Sequence, residues 1–221
     1  MKQKHSLIAL AFLAVVGIAS LAGVEKSDAQ SPSGVDADTN IISFDVAEDM
    51  SRFVFDKDIA HEDGMPAHGS SFITQGYIYP AGTLDGSNGV LADGSPEFPD
   101  KVLGTWACRG WFIGDGAHAE TGPMVLTTQH FVFGEDPGYV SLVTEGYELA
   151  DVDLPIKRAV TGGTGPFENV AGEVEQVFLG FNAAEGVNLR IVAELENAGP
   201  GADYSLIPIS QRRVSDIGAE R

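Results

Sequence analysis

The run Thr161-Gly162-Gly163-Thr164-Gly165-Pro166-Phe167, followed by Gly172, limits the local structure more than any other part of this chain. Three glycines and a proline in seven residues fit neither a helix interior nor a central strand, because glycine disfavours regular structure and proline cannot donate to a ladder. They mark a tight turn. Val160 before it and the stretch Val170 to Leu179 after it are rich in strand-forming residues, so the turn joins two antiparallel strands, with Phe167 placed to plug one end of a sheet or barrel. A phosphate-cradling loop would require a lysine and a hydroxyl after its last glycine, or a further glycine three residues beyond Gly165. The chain has Pro166, Phe167 and Glu168 there.

The same alternation of short apolar runs with turn residues extends along the chain: Ile41 to Val46, Arg52 to Phe55, Ser71 to Tyr79, Thr105 to Ile113, Met124 to Phe133, Tyr139 to Leu149, Ile156 to Val160, Val170 to Leu179 and Val187 to Leu195. These runs of strand length, rich in Val, Ile, Phe, Tyr and Thr, predict an all-β sandwich or closed barrel. The longest irregular segment, Pro80 to Leu103, reads as a lid over a barrel mouth, an assembly element or a surface loop. Its Asp85, Ser87, Asn88 and Asp93 lack the spacing of a helix-loop-helix calcium site.

At the N-terminus, Lys2 and Lys4 precede an apolar run from Leu7 to Val24, and Ser27-Asp28-Ala29 supplies small residues where a signal peptidase inspects. Residues 1–29 therefore read as a signal peptide, with an uncleaved membrane anchor as the other reading of the apolar run, 30–40 as a flexible leader, 41–210 as the folded domain and 211–221 as a polar tail. This organisation predicts a secreted or periplasmic protein with no stable membrane insertion after cleavage. The chain of 221 residues has 13 Lys and Arg against 32 Asp and Glu, a formal net charge of −19, which repels nucleic acid and anionic membranes. Cys108 is the single cysteine, so no intramolecular disulfide forms and stability must come from the core.

In the run Thr105 to Ile113, period-two alternation puts Trp106, Cys108, Gly110 and Phe112 on one face, and Thr105, Ala107, Arg109, Trp111 and Ile113 on the other. An arginine on an inner wall would need a partner or an anionic ligand. His61, Glu62, Asp63 and His68 surround Gly64 and Pro66 in a loop, without the rigid pair a zinc site uses, and no metal is assigned. His130 shares a face with Thr128 and Val132 and reads as a histidine within the wall. No Gly-x-Ser-x-Gly nucleophile motif occurs.

The segments Phe131-Val132-Phe133-Gly134, Glu145-Gly146-Tyr147, Ala159 to Glu168 and Ala171-Gly172-Glu173-Val174 resemble the allene oxide cyclase barrel family, whose glycine-rich turn is shared by plant dirigent proteins. The resemblance spans about a hundred residues, from near Gly104 to Leu195. It implies a single antiparallel eight-stranded, calycin- or dirigent-like β-barrel that needs no cofactor. It also implies a hydrophobic small molecule as ligand, an isomerase or cyclase activity, and a homo-oligomer such as a trimer with the Arg109 and Trp111 face covered. A family cysteine facing the cavity corresponds closely to Cys108, which points Trp106, Cys108 and Phe112 inward as substrate-binding residues, with Tyr147 as a further lining aromatic. A first-strand carboxylate that assists epoxide opening maps to Asp45, with Glu48 next. The other reading is a non-catalytic carrier or a dirigent-like assembly barrel, since function lives in the site and not in the fold.

Overall fold

In the computed structural model, which describes residues 40–119, 124–149, 151 and 153–196, the chain winds into one closed barrel. The eight strands are β1 (Asn40–Phe55), β2 (Ser71–Pro80), β3 (Gly104–Phe112), β4 (Met124–Phe133), β5 (Ser141–Leu149), β6 (Pro155–Thr164), β7 (Ala171–Phe181) and β8 (Val187–Glu196). Each pairs antiparallel with its neighbour in sequence, and β8 closes on β1 from Asn40 opposite Leu195 to Ala47 opposite Asn188. Closure leaves no sheet edge unpaired. The signal segment, the leader up to residue 39 and the polar tail expected from the sequence lie outside the described residues, as does the end of the predicted domain beyond Glu196, while Asn40, the leader's last residue, opens β1.

Two of the expected strands, Ile41 to Val46 and Arg52 to Phe55, are one. Strand β1 runs through both, and its register with β2 slips between Asp49 and Val54, a bulge that the intervening charged residues disguise as a break.

Alternation is regular on β3 and β4, where every second residue is buried. The lower end, where β1 begins and β8 ends, is filled by Ile42, Phe44, Phe131, Phe133, Leu142 and Leu195. Phe44 meets Phe131 and Phe133 edge-on, with ring centroids 5.0 and 5.4 Å apart. The glycine-rich turn closes this end: after β6 the chain makes one 3-10 turn, Gly165–Phe167, and drops the fully buried Phe167 ring 5.8 Å from that of Phe133. Gly163 is required because a Cβ there would collide with the Ser141 carbonyl and the Phe167 Cβ.

The segment between β2 and β3 does not cap a mouth. It lies against the outside of the barrel, on β1, β7 and β8. Leu84 N–H donates to Asp45 at 2.9 Å, Asn188 Nδ2 to Asn88 O at 2.8 Å, and Tyr79 Oη to Gly89 O at 2.6 Å. Ala47, Tyr79, Leu84 and Val90 form a second small core beneath it. Asp85 and Asp93 accept hydrogen bonds from Ser87 and Ser95 of their own turns, which hold both carboxyls below their ordinary range.

Candidate functional site

Inside the barrel, above the aromatic plug, the wall turns polar. Glu148 on β5 is the centre of this belt. Its Oε1 accepts from Gln129 Nε2 at 2.8 Å, from Thr127 Oγ1, from Arg158 Nη1 at 3.4 Å and from Cys108 Sγ at 3.5 Å, and none of these four bonds goes to Oε2. Arg158 on β6 is fully buried. It also donates to Thr144 Oγ1 and to the carbonyls of Gly146, Tyr147 and Thr127, at 3.0 to 3.3 Å. Gly146 makes room for this side chain, since a Cβ there would press on the Arg158 stem at 3.2 to 3.3 Å. Gln129 Nε2 reaches on to Gln176 Oε1 at 3.0 Å, so its amide orientation is set by two acceptors.

A second carboxylate enters from β1. Glu48 is buried, with Oε2 accepting from Val187 N–H at 2.9 Å. Burial pushes its carboxyl above the ordinary range; the Val187 N–H and the Thr74 hydroxyl act against the shift, and the Glu148 charge adds to it. Burial also pushes the Cys108 thiol well up, reinforced by Glu148, so Cys108 stays a thiol near neutral pH and not a nucleophilic thiolate. Three buried side-chain atoms in this region make no hydrogen bond: the donor Trp106 Nε1, the acceptor Gln129 Oε1 and the Thr74 hydroxyl, whose pull on Glu48 falls short of a formed bond.

The residues singled out from the sequence divide between the two faces. Trp106, Cys108 and Phe112 are buried on the inner face of β3. Tyr147 is on the outer face, 57% exposed, because the strand position that faces inward is its neighbour Glu148. Asp45 also faces outward. It is completely buried, but under the β2–β3 segment, where it holds Leu84 N–H and the Arg190 guanidinium at 2.9 Å. The alternation on β1 that places Phe44 and Val46 in the core gives the inward acidic position to Glu48. Arg109 and Trp111 are on the outside, as is His130, whose pKa is lowered by partial burial and by Arg109.

The sequence reading missed Glu148, Arg158 and Gln129. A signal existed: Arg158 shares its face with Ile156 and Val160, and a charge on an otherwise apolar face calls for a buried partner.

No protein-family model matches the sequence, and no curated protein matches it. Solved structures do. The pterocarpan synthase dirigent protein PsPTS1 is 17% identical with a TM-score of 0.51, over 73% of this chain and 97% of its own. The pterocarpan synthase dirigent protein GePTS1 is 14% identical with a TM-score of 0.50, over 76% and 91%. The Diels Alderase AbmU from Streptomyces koyangensis matches more loosely, with 12% identity and a TM-score of 0.41 over 83% and 77%. The likeness is one of fold. It sets this chain beside dirigent barrels and leaves its chemistry to its own interior.

Among the described residues, two further histidines meet at the upper end. His61 and His118 stack with ring centroids 3.9 Å apart, and His118 Nε2 lies 2.9 Å from Asp63. Among the described residues no three His, Cys, Asp or Glu side chains form a metal-holding group.

Proposed function

We propose that this protein binds a hydrophobic small molecule inside its barrel and cyclises or isomerises it without a cofactor, outside the cytoplasm. The observation that carries the reading is the Glu148–Arg158–Gln129 belt, with Glu48 beside it, set above the aromatic plug. Replacing a buried ion pair by apolar side chains is often neutral or stabilising, so such a belt contributes little to folding and makes sense as chemistry. Glu48, whose burial favours the neutral carboxyl, supplies the proton donor for a ligand oxygen. Glu148, fixed by Arg158, is a negative charge ready to stabilise a developing cation. Pairs of carboxyl groups held in different environments divide acid and base roles in this way. The walls contribute restriction, holding a flexible intermediate in one conformation.

A non-catalytic carrier is favoured by one observation, the dense packing of Phe131, Phe133 and Phe167 below the belt. Native mass spectrometry of the protein purified from its own host tests the shared part of both readings. A retained small molecule is expected, lost in Cys108→Trp, which fills the interior, and kept in Cys108→Ser. No retained molecule in any preparation overturns it. With the ligand identified, Glu48→Gln and Glu148→Gln are expected to abolish its conversion while sparing binding. Neither variant has an effect on a carrier.

A further inference from the structure

The unpaired atoms of the interior specify what the ligand carries. Trp106 and Gln129 are inward neighbours on adjacent strands, since Trp106 lies opposite Phe131 and Cys108 opposite Gln129. Trp106 offers a free N–H, Gln129 a free amide oxygen and Thr74, opposite Cys108, a hydroxyl able to donate or accept, all three sealed from solvent. Leaving such groups unmet is costly, and the Gln129 oxygen in particular is answered only by a ligand group that donates, while the Trp106 N–H calls for one that accepts. A hydroxyl does both; a carboxylate, which only accepts, does not.

Charge points the same way. The buried guanidinium of Arg158 is committed to Thr144, Glu148 and three backbone carbonyls. Among the described residues the other ion-paired cations, Arg52, Lys157 and Arg190, have exposed or part-exposed side chains. An anionic ligand would therefore enter an interior that already holds the Glu148 carboxylate and would find its arginine occupied.

We infer that the barrel interior takes an uncharged ligand bearing a hydroxyl group, met by Trp106 and Gln129, and rejects the carboxylate of the same skeleton. This rests on the reading of the barrel as a small-molecule site. It divides the possible ligands by a property that the fold does not reveal.

The test is equilibrium binding at pH 7 to two matched series, decanol with decanoate and decane, and naphthol with naphthoate and naphthalene. Trp106 fluorescence in a Trp111→Phe background confirms an interior site. In at least one series the alcohol is expected to bind about tenfold or more tightly than both the acid and the hydrocarbon. Trp106→Phe, which removes only the N–H, and Gln129→Leu are each expected to narrow that preference. Measuring the preference in the parent protein makes the result independent of whether either variant folds. An acid that binds as well as its alcohol overturns the inference and leaves the small-molecule reading intact, and so does a hydrocarbon that binds as well. Failure of every compound in both series overturns the small-molecule reading for these skeletons and this inference with it.

Discussion

Arg158 donates five hydrogen bonds without leaving the barrel, and its counter-charge is Glu148. Removing one partner of a buried pair strands the other, which costs about 3–5 kcal/mol. Glu148→Leu is therefore expected to destabilise by that order in urea unfolding. Glu148→Gln keeps an acceptor oxygen and should lose clearly less. Glu48 makes a separate, pH-dependent contribution. Burial raises its folded pKa above 4.5, so the folded state keeps a proton that the unfolded chain releases. The stability tied to that proton is fully present below the unfolded value and is lost as pH rises toward the folded one. Glu48→Gln stays neutral throughout and can still accept from Val187 N–H. It should match the parent near pH 4 and exceed it near pH 8 in urea midpoint; equal midpoints at both would show that Glu48 ionises freely.

Asp45 and the segment it holds operate at the scale of elements. Its carboxylate fixes Leu84 N–H and pairs with Arg190 on the outer wall, so Asp45→Ala should expose the amides of 84–97 to hydrogen exchange while interior binding is unchanged. Loss of ligand with exchange unaltered would return Asp45 to the binding site. The plug at the other side of the fold is local and hydrophobic: Phe167→Ala is expected to cost about 3–5 kcal/mol in denaturant unfolding. That turn and plug were legible in the sequence, because glycine and proline act through the local backbone and period-two alternation fixes the faces of β3. The carboxylates were less legible. On β1 the acids Asp45, Glu48 and Asp49 occupy both faces, and alternation from Phe44 and Val46 turns Glu48 inward, a parity hidden among so many neighbouring acids. Tyr147 attracted attention as an aromatic, yet a single position of register gives the inner face to Glu148.

The whole barrel presents two unlike walls. Around β7 and β8 the outer surface is acidic, with Glu173 directly opposite Glu194 and the exposed Lys157 paired to Glu173. Like charges facing across strands repel, and they disfavour close approach by a second acidic molecule. Across β1 to β5, at the upper end, the register lines up Val54 with Ile73 and Trp111 with Leu126 and Tyr147. Val54, Ile73, Trp111 and Tyr147 are all exposed, with Arg109 opposite Ile73 among them, and apolar side chains gathered on one face are a feature of association surfaces. The β2–β3 segment covers another part of the outer wall through Asp45, Asn188 and Tyr79, and does not reach these four side chains. If the homo-oligomer expected from the sequence forms, Trp111→Lys should dissociate it in sedimentation velocity runs with the circular dichroism spectrum unchanged. Glu173→Lys, on the acidic wall, should leave the sedimentation coefficient where it was. A parent that sediments as a monomer at high concentration, or a Trp111→Lys variant that stays assembled, would remove this wall from any account of how the molecule associates.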